Sequence, residues 1–150
     1  MQPRLEPITR VVIPSIRLDA PVVPAGLEDR GHGLTWAVPA RAAGHAAGTP
    51  GPGQPGNAVL LGHVASRSLG DVFRDLDRVR PGDPVRLFGA REPVDYRVAE
   101  VRSVGRADVA AVQPTGVPSV SLITCRGVWL PLAWDYTERL VVRAELAPAP

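Results

Sequence analysis

Cys125 is the only thiol in the chain, and His32, His45 and His63 are the only imidazoles that could serve it. A thiolate attacks carbonyl carbon, an imidazole carries the proton the reaction must move, and a fixed cation stabilises the thiolate and the developing oxyanion. A free cysteine is most often a small buried hydrophobe. The position of Cys125 argues otherwise. It closes the β-branched run Val120–Cys125 (VSLITC) and is followed at once by Arg126-Gly127. A strand end on a rigid scaffold is where a side chain is offered to a cleft.

The histidines differ in setting. His32 lies between two glycines, and His45 lies in the Gly/Ala/Pro-rich stretch 39–56, so both are expected to face solvent. His63 directly follows the apolar run Asn57–Gly62 (NAVLLG) and so, like Cys125, ends a core strand. The third group comes from Glu138–Leu146 (ERLVVRAEL). Alternation puts Leu140, Val142, Ala144 and Leu146 on one face and Arg139, Val141, Arg143 and Glu145 on the other. Most such arginines coat a solvated exterior. A functional arginine would instead donate hydrogen bonds to a substrate carbonyl or a developing oxyanion without changing its own charge.

The elements that must hold these groups are short strands. Arg10–Ile13 and Ile16–Leu18 read as strands broken by Pro14, and Pro21–Val23 continues extended. Residues 39–56 read as a long loop. Val72–Val79 places apolar residues at 72, 73, 76 and 79, the spacing of one or two helical turns. Pro81-Gly82-Asp83 ends that run and launches a strand at Val85–Phe88. Val94, Tyr96 and Val98 alternate with Asp95 and Arg97 in a strand expected to reach Val104, and Ala107–Gln113 reads as a short helix before Pro114. Seven or eight short strands with one or two short helices predict an all-β closed barrel or sandwich.

Composition narrows the function. The 150 residues suffice for one domain. Residues 1–9 read as a flexible lead-in, 10–146 as the domain and 147–150 as a tail. All 17 basic residues are arginine, so no lysine can form a Schiff base or an isopeptide bond. The net charge is +2 and no basic cluster interleaves with aromatics, which gives nucleic-acid binding no support. One cysteine excludes an internal disulfide and paired-cysteine zinc sites. No stretch reaches the roughly 18 apolar residues of a membrane span, and Met1–Pro7 carries no signal-peptide core. A protein acting outside the membrane would have its anchor cut off or outside this chain.

In order, NAVLLGH, DVFRDLDRVRPGD, SLITC and RLVVRAEL resemble the sortase family. So does the early VVIPSIRLDAPVV, and the likeness runs over roughly residues 10–146. Ser121 stands where that family often has Thr. The resemblance implies a sortase-like closed β-barrel of seven to eight strands. It implies Cys125 as nucleophile, His63 as general acid/base and Arg139 as the oxyanion-side arginine. The implied reaction is cleavage of an LPxTG-like sorting signal between Thr and Gly and transfer to a cell-wall amine through a thioester. The implied partners are surface proteins bearing the signal and a peptidoglycan-precursor amine, at the outer face of the cell membrane. Substrate is expected between the loops 104–118 and 126–137, with Thr124, Arg126, Trp129 and Trp134 in contact. No cofactor is implied, and with Asp108 the only carboxylate in 104–118, no calcium site is expected there. GHVASR and the lysine-free composition lean toward the actinobacterial-type classes E and F.

Three other readings are weaker. An L,D-transpeptidase would show His-Gly-Cys, where this chain has Ile123-Thr124-Cys125. A pilus structural module would carry lysine or a terminal sorting signal. A catalytically silent β-barrel binding module would keep Cys125 buried and inert.

Overall fold

The computed structural model describes residues 4–29, 34–36, 40–63, 71–105, 113, 115–130, 132 and 135–148, with backbone alone at 27–29, 34–36, 125–130, 135 and 136. Among the described residues there are ten strands: β1 (Arg10–Ile13), β2 (Leu18–Ala25), β3 (Leu27–Asp29), β4 (Leu34–Trp36), β5 (Ala43–Ala46), β6 (Asn57–Leu61), β7 (Pro84–Phe88), β8 (Val94–Gly105), β9 (Ser119–Leu130) and β10 (Asp135–Leu146). Eight close a barrel in the order β1-β2-β5-β6-β9-β10-β8-β7, and β7 returns to β1. Closure leaves no unpaired barrel edge. β3 and β4 form a separate antiparallel pair. The all-β barrel expected from the sequence is therefore the fold.

Alternation fills the interior. Val11, Ile13, Ala20, Val22, Leu60, Val85, Leu87, Tyr96, Val120, Leu122, Leu140 and Val142 join one buried cluster. The run Val72–Val79 caps it. It forms turns ending in a 3-10 helix at Leu76–Arg78, and Phe73, Leu76 and Val79 are buried. Pro14 does break the first strand, by opening a 3-10 turn at Pro14–Ile16; the expected strand Ile16–Leu18 is absent, since Ile16 lies in that turn, Arg17 closes it in the left-handed region and β2 begins only at Leu18.

The two halves of the outer wall differ. On β1, β2, β7 and β8 the exterior carries ion pairs, Arg10 with Asp19 and Arg86 with Asp95, each at 2.7 Å. On β6, β9 and β10 the exterior positions Val59, Leu61, Ile123 and Val141 are themselves buried, and with Ala46 and Val104 they form a second apolar cluster. That wall is covered on both sides. This explains why NAVLL is apolar without alternation.

Three expectations need correction. The stretch 39–56 is not all loop, because Ala43–Ala46 forms β5, parallel to β2 and antiparallel to β6. Its small side chains are fully buried, and small residues lack the apolar bulk that sequence patterns register. Cys125 does not end its strand; β9 runs five residues further to Leu130, and β10 begins at Asp135. The segment 126–137 is thus mostly a hairpin extension rather than a loop. The strand-free lead-in is tied to the barrel: Ile8 is buried, Glu6 N–H donates to Gln54 Oε1, and Thr9 N–H donates to Phe88 O. His32, Asp108 and Trp134 lie outside the described residues, as does the expected helix at 107–113 apart from its last residue.

Candidate functional site

The site is a row across three neighbouring strands. β9 and β10 are antiparallel, and their register sets Cys125 directly opposite Arg139. β6 and β9 are parallel, with Asn57 beside Ser119 and Leu61 beside Ile123. Beyond β6 the same alignment persists, because Gly62 N–H donates to Ile123 O at 3.2 Å and Thr124 Oγ1 donates to Gly62 O at 2.8 Å. One further step brings His63 alongside Cys125. Adjacent strands lie about 5 Å apart, so the three backbones occupy one short row at one rim of the barrel.

Beneath that row lies a second. Leu61, Ile123 and Val141 are register neighbours on the covered wall, two residues back from His63, Cys125 and Arg139. Val104 pairs with Arg139 and belongs to the same cluster. This apolar floor fixes the strands that present the polar row. Sequence reasoning missed it, although the unbroken apolar run of β6 carried the signal.

The approach to His63 is tightly built. A Cβ placed on Gly62 would meet Phe73 Cδ2 at 2.5 Å and a Val72 methyl at 2.7 Å. No side chain fits there unless the capping turn shifts. Phe73 N–H also donates to the carbonyl of His63 at 3.0 Å. The Val72-Phe73 turn thus grips the chain on either side of the imidazole's Cα. His63 is half-buried, as is Arg139, whose guanidinium donates to the Glu138 carbonyl at 3.2 Å.

Thr124 does not fit its expected role as a groove residue. It faces the interior with Leu122, is buried, and spends its hydroxyl on Gly62 O. It ties β6 to β9 just before the row of His63, Cys125 and Arg139. Ser121 is also buried: its hydroxyl donates to Asn57 Oδ1 at 2.8 Å, while Asn57 Nδ2 donates to Gln113 O at 3.0 Å. This chain of bonds holds the segment entering β9 against the covered wall. Arg126 and Trp129 are placed by backbone alone, opposite Glu138 and Tyr136 on the hairpin extension.

His45 is not solvent-facing. Its ring is buried, Ile8 N–H approaches Nδ1 at 3.3 Å, and Nε2 lies 2.9 Å from Pro50 O. With Nδ1 accepting, Nε2 must carry the proton. Burial lowers the pKa of this imidazole, with hydrogen bonds to the Pro50 and Thr49 backbone opposing. His45 is a structural pin for the lead-in, facing away from the Cys125 row.

A family model described as the sortase domain matches residues 11–147. The chain belongs to the sortase family. Sortase A of Bacillus anthracis is 28% identical over 139 residues, covering 93% of this chain and 59% of the relative, so the chain spans less than two thirds of that protein. Among solved structures, sortase C-1 of Streptococcus pneumoniae aligns over 95% of this chain and 67% of its own, at 27% identity and a TM-score of 0.74. A lid mutant of sortase A from Corynebacterium diphtheriae shares the fold at a TM-score of 0.76 and 24% identity, over 98% of this chain and 74% of its own. A Clostridium perfringens sortase D5 transpeptidase does so at 0.72 and 22%, over 94% and 79%. The barrel of this sortase carries its lone thiol on the strand shared by the parallel and the antiparallel pair. No helix among the described residues is long and apolar enough to cross a membrane.

Proposed function

We propose that this sortase is a cysteine transpeptidase acting on LPxTG-like sorting signals, with Cys125 as nucleophile, His63 as acid/base and Arg139 as oxyanion-side donor. The observation that carries this reading is the single row of His63, Cys125 and Arg139 over an apolar floor. The Cys125 sulfur attacks the carbonyl carbon of the Thr–Gly bond. The C–N bond breaks, and the glycine amine leaves with a proton from His63. A thioester then joins the substrate threonine to Cys125. An acceptor amine of a cell-wall precursor attacks that carbonyl, gives its proton to His63 and expels the thiolate. Arg139 donates to the oxygen that becomes negative in each tetrahedral intermediate; its fixed charge needs no proton movement.

In this reading the sorting signal lies along the hairpin extension of β9 and β10, with Arg126, Trp129 and Trp134 as its wall. Thr124 positions the β6 end instead of touching substrate. The partners are surface proteins bearing the signal and a peptidoglycan-precursor amine, and the domain works at the outer face of the cell membrane. GHVASR and the arginine-only basic composition favour an actinobacterial-type class, E or F.

The test is mass spectrometry of the intact protein after incubation with an LPxTG and an LAxTG peptide. The expected result is a thioester adduct on Cys125 that disappears in Cys125→Ala and is nearly lost in His63→Ala. A native thiol that forms no adduct and resists a mild alkylating agent would instead favour a silent binding module.

A further inference from the structure

Among the described residues, only two non-glycine residues have positive φ, Arg17 at 54° and Arg41 at 55°. That region is costly for a side-chain-bearing residue and is usually left to Gly or Asn. Both arginines line the same groove, of about 440 Å³, with Asp19, Pro21, Asp71 and Val72 among its other walls. The two carboxylates already have cations: Arg10 binds Asp19 through two 2.7 Å bonds, and Arg74 lies 3.6 Å from Asp71. Arg17 and Arg41 are exposed, and among the described residues neither has an ion-pair partner. The groove therefore presents two guanidinium groups that no described residue pairs, both on backbone with positive φ. Strain of this kind points to a role for the side chain it aims.

The topology relates this groove to the Cys125 row. Arg17 precedes β2 and Arg41 precedes β5; β5 is parallel to β2 and antiparallel to β6, which His63 follows. All of them lie at the rim that carries Cys125 and Arg139. The groove is on the His63 flank, and the β9–β10 hairpin is on the other. Two to three strand spacings separate it from Cys125, about 10–15 Å. His63 is where the attacking amine loses its proton, so the second substrate approaches over this flank.

We infer that Arg17 and Arg41 form a subsite for an anionic group, phosphate or carboxylate, carried by the acceptor about 10–15 Å from its reacting amine. This rests on the transpeptidase reading above. Planar guanidinium groups suit either anion through paired N–H donors.

The test uses the whole chain, an LPxTG donor and three acceptors: tetraglycyl-serine amide, the same peptide with phosphoserine, and tetraglycyl-glutamate amide. Four extended residues place the anion roughly 13 Å from the amine. The expected result is kcat/KM roughly 5–10-fold higher for an anionic acceptor than for the serine peptide, falling in high salt. Preference for phosphoserine or for glutamate identifies which anion is read. In Arg17→Asn/Arg41→Asn the ratio falls to about one while Tm does not drop, because Asn tolerates positive φ. Arg41→Gly is the second variant should the double one express poorly. Equal use of all three acceptors, or a preference that survives both substitutions, overturns the inference. A chain that forms no Cys125 thioester at all refutes the transpeptidase reading instead. The subsite is then judged by calorimetric titration with the phosphoserine peptide, where salt-sensitive binding lost in the double variant supports it and no binding refutes it.

Discussion

Replacing Gly62 by Ala tests whether the capping turn holds the imidazole in place. The added methyl would lie 2.5 Å from Phe73 Cδ2 and 2.7 Å from a Val72 methyl, distances that real carbon pairs do not adopt. Phe73 is fully buried and cannot swing into solvent. Either the turn moves outward or Gly62 retreats, which strains its bonds to Ile123 and Thr124. Overpacking of this kind costs about 1–3 kcal/mol. For a domain of this size each kcal/mol lowers Tm by roughly 2–4 °C, so a fall of about 2–12 °C is expected. Thioester formation with an LPxTG peptide should slow as well, because His63 is the next residue and its carbonyl is bound by the same turn. Phe73→Leu alone should destabilise by leaving a gap. Combined with Gly62→Ala it should cost clearly less than the two separate losses, since the smaller side chain yields to the methyl. Thermal melts and single-turnover adduct formation measure both quantities. A Gly62→Ala protein with unchanged Tm and rate, or a strictly additive double variant, would refute the argument.

Arg139→Ala should raise the acylation barrier by about 2–4 kcal/mol, read as kcat/KM for peptide cleavage, and Arg139→Lys should fail to restore it because the planar fork is lost. Thr124→Val removes the buried bond to Gly62 O and should cost about 1–3 kcal/mol in denaturant melts, most of it recovered by Thr124→Ser. His45 is held neutral, its folded pKa below the unfolded value. The unfolded chain therefore takes up the proton first as pH falls, so stability is fully present above the ordinary histidine pKa and declines as pH drops from there through the folded pKa. Tm measured from pH 8 to 5 should fall, and His45→Asn should remove much of that slope while lowering Tm at pH 8.

The barrel was legible wherever apolar residues alternate. Val94–Val98 and Leu140–Leu146 follow that pattern, and both lie in the strands expected. β5 was hidden because Ala-Gly-His-Ala is buried without any bulky apolar side chain. The far end of β9 was hidden because Arg126-Gly127 reads as a break. Strand ends and the family pattern mark the three residues of the row in the sequence; their convergence depends on a parallel pairing of β6 with β9 that no local pattern encodes. The setting of His45 misleads for the opposite reason: its glycine-rich surroundings suggest solvent, but its two ring nitrogens are spent on backbone 37 and 5 residues away. Arg17 and Arg41 gave no sign in the sequence, since nothing in residue type reveals a positive φ.

The parallel pairing also bears on when the proposed nucleophile and its histidine meet. β6 and β9 are neighbours in space, yet β7 and β8 lie between them along the chain. Until that long excursion folds back, His63 and Cys125 are far apart along the polymer, and under the proposed roles the sulfur has no proton carrier beside it. Non-local pairings of this sort form late and slowly. If the proposed pairing activates the sulfur, the rate at which a mild alkylating reagent labels Cys125 during refolding becomes a clock for completion of the barrel.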